Sequence, residues 1–177
     1  MSNNFLFTPT GSGSGGGGGG GSIIWNDNGS NAPVLDFENN VRVYLFDNAL
    51  AQELYTTVKI PQGYTSGSPI RLYVTYYTAS TSNNVLLKTQ ATLIRANVTA
   101  IDATTNQRTS TIAAVTNGSP ANRLNQTYGD LTDSVGAINS QSVAAGDTII
   151  VRLYRDTDTD TATVRFLPDD AEVTLTT

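Results

Sequence analysis

Cysteine and histidine are both absent from these 177 residues. Without cysteine there is no disulfide framework, no thiolate nucleophile and no Cys-ligated zinc. A chain assembled in a reducing cytoplasm fits this composition. Without histidine, the common neutral-pH general base and the commonest metal ligand are missing too. Any catalysis would rest on carboxylates, Lys or Tyr, so the expectation is a non-enzyme without a cofactor. Helix-favouring residues are scarce as well: the only lysines are Lys59 and Lys88, and the only glutamates are Glu38, Glu53 and Glu172. Charged residues make up only 14% and the formal net charge is −5, with the cations scattered. No basic stripe exists to neutralise phosphates, so nucleic-acid binding is not expected. No apolar run reaches the length of a membrane-spanning helix, and no secretory leader pattern is visible.

What fills the gap is Thr, Asn, Ser and Gly, residues of half-buried strands and of turns. Residues 1–22 stand apart: Phe5-Leu6-Phe7, then Thr8-Pro9-Thr10, then a Gly/Ser tract with seven glycines from Gly15 to Gly21. Such a tract has no side chains to bury, and twenty-two residues span about 70 Å if stretched. The expected organisation is a flexible arm over 1–22 and one domain over 23–177. Trp25, with Ile23 and Ile24, is expected to anchor the arm.

From there the apolar pattern has period two. Val41, Val43 and Leu45 alternate with Arg42, Tyr44 and Phe46. Leu54, Thr56, Val58 and Ile60 alternate with Tyr55, Thr57 and Lys59, and Pro61 ends the strand. Ile70, Leu72, Val74 and Tyr76 form the next row, and Ile149, Val151 and Leu153 a later one. Further strands are expected within Leu86–Ile101, Thr109–Val115, near Arg123–Tyr128 and Ala137–Val143, and as two short pieces, Val164–Leu167 and Glu172–Leu175. About eight strands without a crossover helix predict an all-β fold, two antiparallel sheets in a sandwich of jelly-roll type. A barrel or an immunoglobulin-like sandwich is the competing architecture.

The run Val58-Lys59-Ile60-Pro61-Gln62-Gly63-Tyr64, followed by Gly67 and Ile70-Arg71-Leu72, resembles a jelly-roll module of tailed-phage virion structural proteins. Val143-Ala144-Ala145-Gly146-Asp147 with the strand through Arg155, and the segment Ala32–Asn40, are similar to other parts of that module. The resemblance covers roughly 32–177. It implies a virion protein on the outer surface of the particle, assembled in the host cytoplasm. The leading expectation is a capsid decoration (cement) or head-attached protein, holding the major capsid protein or another virion protein through Phe5, Leu6, Phe7 and Trp25. A trimeric homo-oligomer is implied by the resemblance. The alternative is a receptor-binding or fibre-tip module recognising host surface glycans; a carbohydrate-active enzyme is a third class.

Individual residues add finer expectations. Asp156-Thr157-Asp158-Thr159-Asp160 spaces three carboxylates as a calcium loop does, but Thr161 and Leu167 stand where an EF-hand needs Gly and Glu. A solvated acidic loop is the plainer reading, and no metal is assigned. Asp130 with Asp133, and Asp169 with Asp170, could pair as glycosidase acids, or more simply cap turns. Arg42, Arg71, Arg95, Arg152 and Arg165 lie within or beside strands among tyrosines. Arg71, Tyr73, Tyr77, Arg152 and Tyr154 are expected to form one self-association face, since Tyr and Arg suit interfaces.

Overall fold

The computed structural model describes residues 23–27, 31–48, 51–96, 106–112, 115–116 and 121–175. The strands are β1 (Asn26–Asp27), β2 (Val34–Glu38), β3 (Val41–Phe46), β4 (Glu53–Lys59), β5 (Ile70–Thr78), β6 (Asn84–Val85), β7 (Leu87–Ile94), β8 (Gln107–Thr111), β9 (Val115–Thr116), β10 (Asn125–Asp130), β11 (Ala137–Ile138), β12 (Gln141–Ser142), β13 (Thr148–Arg155) and β14 (Val164–Leu175). No α-helix occurs among the described residues.

Two five-stranded antiparallel sheets carry the fold. One has the order β1-β4-β13-β7-β8 and the other β10-β5-β14-β3-β2. Among the eight longer strands β3, β4, β5, β7, β8, β10, β13 and β14, the first pairs with the eighth, the eighth with the third and the third with the sixth. In the other sheet the second pairs with the seventh, the seventh with the fourth and the fourth with the fifth. That order is a jelly roll, which settles the choice against a barrel or an immunoglobulin-like sandwich. β1 and β2 extend the two sheets on the same side, and β8 and β10 bound the other.

The period-two rows become the core. Ile70, Leu72, Val74 and Tyr76 of β5 face Leu54, Leu87, Leu93, Ile149, Val151 and Leu153 of the other sheet, all of them buried. On β3 the row turned to the core is Tyr44 and Phe46, packed on Phe166 and Val164 of β14, while Val41 is exposed. Trp25 inserts edge-on against Phe166 with ring centroids 5.2 Å apart. On a coefficient of about 25 cal/mol per Å² of apolar surface, burying one such side chain stabilises by about 1.5–3 kcal/mol.

Local chemistry explains the connections. Asn39 and Asn40 both take positive φ, 51° and 66°, the two-residue turn that matches the twist of a hairpin, so β2 and β3 pair tightly. Asn139 and Ser140, at 47° and 67°, do the same for the small hairpin of β11 and β12. The two short closing strands expected from the sequence are one strand, β14, with a register shift between Leu167 and Glu172. Pro168 lies in that interval, where its missing N–H costs no ladder bond. The strand expected over Thr109–Val115 is instead β8, ending at Thr111, and the separate β9, which pairs with β6.

Candidate functional site

The outer side of the β5–β10 pair gathers aromatic and charged groups around a cleft. Asp130 stands directly across from Arg71, and Tyr128 from Tyr73. Arg71 Nε donates to Asp130 Oδ1 at 3.0 Å, and the Arg71 guanidinium lies 4.7 Å from the centroid of the Tyr128 ring. The Tyr128 and Tyr73 rings are 5.5 Å apart, and Tyr128 keeps 42% of its surface exposed. The Asp130 hydrogen bond pushes the pKa of Arg71 further up, so this guanidinium stays charged. Period two puts these groups together: Gln126, Tyr128 and Asp130 share one row of β10, while Thr127 and Gly129 turn inward.

Beside them opens a cleft of about 310 Å³, lined by Pro69, Arg71 and Asp130, by Thr132, Asp133 and Ser134, and by Arg108 from the other sheet. It sits where the edge strands β8 and β10 meet. Arg108 is opposite the buried Ala91 and so belongs to the inward row of β8. Its Nε is shielded from water and has no hydrogen-bond acceptor among the described residues. Such a donor is costly unless something supplies an acceptor. Asp133 holds its own turn together, since its Oδ1 accepts from the Val135 and Ala137 N–H groups at 3.0 and 2.8 Å. Asp130 is committed to Arg71 rather than to a turn.

The predicted Arg and Tyr residues do not form one face. β5 and β13 belong to different sheets, so Arg71, Tyr73 and Tyr77 lie on one outer surface of the sandwich and Arg152 and Tyr154 on the opposite one. Each arginine also has partners within the chain. Arg152 pairs with Glu53 and lies 4.3 Å from the centroid of Tyr154. Arg165 donates to Glu38 at 2.6 Å and lies over Tyr77 at 5.7 Å, while the Tyr77 hydroxyl donates to the other Glu38 oxygen at 2.6 Å. Those two hydrogen bonds, from Tyr77 first and Arg165 second, hold Glu38 below its ordinary value. Burial, then the Glu38 hydrogen bond, pushes Tyr77 up to about 12. Arg42 pairs with Asp169 at 2.5 Å, and Arg95 with Asp147 at 2.6 Å. Each of these five arginines is thus paired with a carboxylate on a neighbouring strand or loop.

The sequence places Trp25 at a capsid contact, but its burial on Phe166 removes it from any such surface. Phe5, Leu6 and Phe7 lie outside the described residues.

The acidic loop is not simply solvated, because Asp158 and Asp160 turn inward. Arg155 continues the inward row of β13, and its guanidinium reaches Asp158 through Nε at 2.9 Å and Nη2 at 2.8 Å, with both side chains almost fully buried. Its remaining donors go to the carbonyls of Phe46 at 3.2 Å, Ala162 at 2.8 Å and Asp160. Asp158 accepts from the Leu86 and Asp160 N–H groups, Asp160 accepts from Thr78 Oγ1, and Asp156 pairs with Lys88. The clue was an arginine at an inward position just before alternating aspartates. No cluster of metal-ligating side chains occurs among the described residues. The sequence also did not single out Arg108 and Tyr128; the three polar residues spaced by two in β10 were the available signal for Tyr128.

The cleft and the neighbouring Tyr73–Tyr128 pair belong to a jelly-roll β-sandwich. No protein-family model matches the chain, and no curated protein matches it. Three solved structures are similar. TmCBM61, in complex with β-1,4-galactotriose, is 10% identical, with 87% of this chain and 88% of that one covered and a TM-score of 0.40. The enzymatically active domain of bacteriophage CBA120 tailspike protein 4 is 10% identical, with a TM-score of 0.44; 88% of this chain aligns with only 19% of that one. The CBM22-1 xylan-binding domain of Paenibacillus barcinonensis Xyn10C is 12% identical, with 90% and 97% covered and a TM-score of 0.35. At such scores the strand order, not the likeness, defines the fold.

Proposed function

We propose that this protein is a glycan-recognition module of the receptor-binding or fibre-tip kind, with its sugar site at the cleft between β8 and β10. The observation that carries the reading is the exposed Tyr128 ring, braced by Tyr73 and by Arg71, which also lines the cleft. A sugar presents an apolar C–H face and a rim of hydroxyls. The first suits the free side of Tyr128. The second suits planar groups such as the Arg71–Asp130 pair, and its oxygens could satisfy the orphan Nε–H of Arg108. The module binds without turning over its ligand: Asp130 is held by Arg71, and one oxygen of Asp133 by the backbone of its own turn. Capsid decoration would place the contact in the arm rather than in the cleft, and the cleft favours recognition.

A glycan array followed by calorimetry on the best ligand tests this. Tyr128→Ala should weaken binding about tenfold, the equivalent of about 1.4 kcal/mol, with unchanged thermal unfolding. Tyr154→Ala, on the opposite sheet, should leave affinity unchanged. No binding by the native chain, or equal losses for both variants, would refute the proposal.

A further inference from the structure

The side of the sandwich away from the cleft carries most of the apolar exposure. Of the eight exposed large apolar side chains among the described residues, Ile24, Val34, Leu35, Phe37 and Val41 are here. Phe37 is 64% exposed and Val34 60%. β2 is the outermost strand of its sheet, and Leu35 and Phe37 lie opposite Tyr44 and Arg42, in the row that turns toward the other sheet. That sheet ends there in β1, only two residues long. The tight Asn39-Asn40 turn makes Glu38 and Val41 a hydrogen-bonded pair, so the N–H groups of Leu35 and Phe37 point away from β3. The Phe37 N–H is taken by its neighbour, donating to Asp36 Oδ1 at 2.7 Å. An apolar edge strand with no strand beyond it among the described residues, and with the Leu35 N–H turned outward, is a template for another strand.

We infer that the strand it takes is Phe5-Leu6-Phe7 of the same chain. In an extended segment Phe5 and Phe7 share one face, matching Leu35 and Phe37, and Leu6 falls on the face of Val34. A second β2 suits the edge poorly. Antiparallel pairing about Asp36 sets Asp36 against Asp36 and Val34 against Glu38, and directly opposed like charges destabilise. Residues 1–10 carry no charged side chain, so the arm meets the acidic edge without that repulsion. Length also favours the chain's own arm. The chain re-enters the described fold at Ile23, beside β1, and the fifteen residues from Thr8 to Ser22 reach about 50 Å if stretched. A tether of that length supplies an effective concentration in the millimolar range, above that of any free copy.

Absence of cysteine makes the test direct, since Ser2→Cys creates a single labelling site. A spin label there should broaden the amide signals of Leu35 and Phe37 in its own molecule. It should leave them sharp in an isotope-labelled, spin-free copy mixed with it. Leu35 amide exchange in the full chain should be slower than in a Phe5→Ser, Leu6→Ser, Phe7→Ser variant by at least about tenfold, independent of protein concentration. Equal exchange in the two proteins, with no broadening at β2, overturns the inference. Broadening across the mixture, or protection that rises with concentration, overturns it in favour of a second copy. The spin label keeps the native apolar residues, so its readout stands even if the triple variant folds poorly.

Discussion

Replacing Asp158 by Ala would leave the Arg155 guanidinium buried without its counter-charge. Both side chains are almost sealed, at 1% and 2% exposure, so water cannot compensate. Removing one partner of a buried pair costs about 3–5 kcal/mol, a large share of a total stability of about 5–15 kcal/mol. For a domain of this size each kcal/mol lowers Tm by about 2–4 °C, so the expected drop is about 10 °C. Elsewhere, replacing both members of a buried pair by apolar residues can be neutral or stabilising. Here it should not be. Arg155 also donates to the carbonyls of Phe46, Ala162 and Asp160, and Asp158 also accepts from the N–H groups of Leu86 and Asp160. Arg155→Met with Asp158→Leu would strip these partners from five backbone groups, at about 1–3 kcal/mol for each one left unsatisfied. Urea unfolding of the native chain, the single variant and the double variant measures all three. A double variant as stable as the native chain would refute the reasoning, as would an Asp158→Ala cost below about 1 kcal/mol.

Gly129 faces inward, and a Cβ there would meet Ile112 Cγ1 at 2.9 Å and Thr89 Oγ1 at 3.0 Å; Gly129→Ala should destabilise by about 1–3 kcal/mol, read by thermal unfolding, and disturb the cleft edge. Glu38, Asp147 and Asp156 are all held below their ordinary values of 4.5, 3.8 and 3.8. For Asp147, burial alone would raise the value, but the hydrogen bonds from Arg95 and Ala144 outweigh it. Depressed folded values mean that the stability these groups add is complete above those ordinary values and lost as pH falls through the folded ones. The urea midpoint should therefore fall at pH 3 relative to pH 6. Tyr77 works in the opposite sense: raised from 10.0 to about 12, it adds stability that is complete below pH 10 and lost as pH rises toward 12. Tyr77→Phe should flatten that alkaline loss.

The rows of β5 and β13 were legible because alternation is a local property, and Ile70, Leu72, Val74, Ile149, Val151 and Leu153 are core as their spacing predicts. Which sheet a strand joins is not local. Arg71 and Arg152 look alike in sequence, yet sheet order sends them to opposite surfaces. The acidic loop misled for a related reason. Three aspartates in a row of polar residues look solvated, and only the inward position of Arg155 reveals a buried partner. The cleft was hidden further still. It needs Arg108 and Asp130, residues on two strands that do not pair and that meet only when both edges close on one side.

The centre of each sheet is filled by the two strands that come last among the fourteen, β13 between β4 and β7, and β14 between β3 and β5. As the chain leaves the ribosome, β3, β4, β5 and β7 emerge with no neighbour for the edges that β13 and β14 will occupy. Neither sheet can close until residue 148 and then residue 164 have been made. Folding can therefore be completed only after the end of this region has been made, through contacts distant in sequence, which makes it slow. A nascent chain stalled after β10 would expose four apolar strands with open edges, the condition in which chaperones matter most.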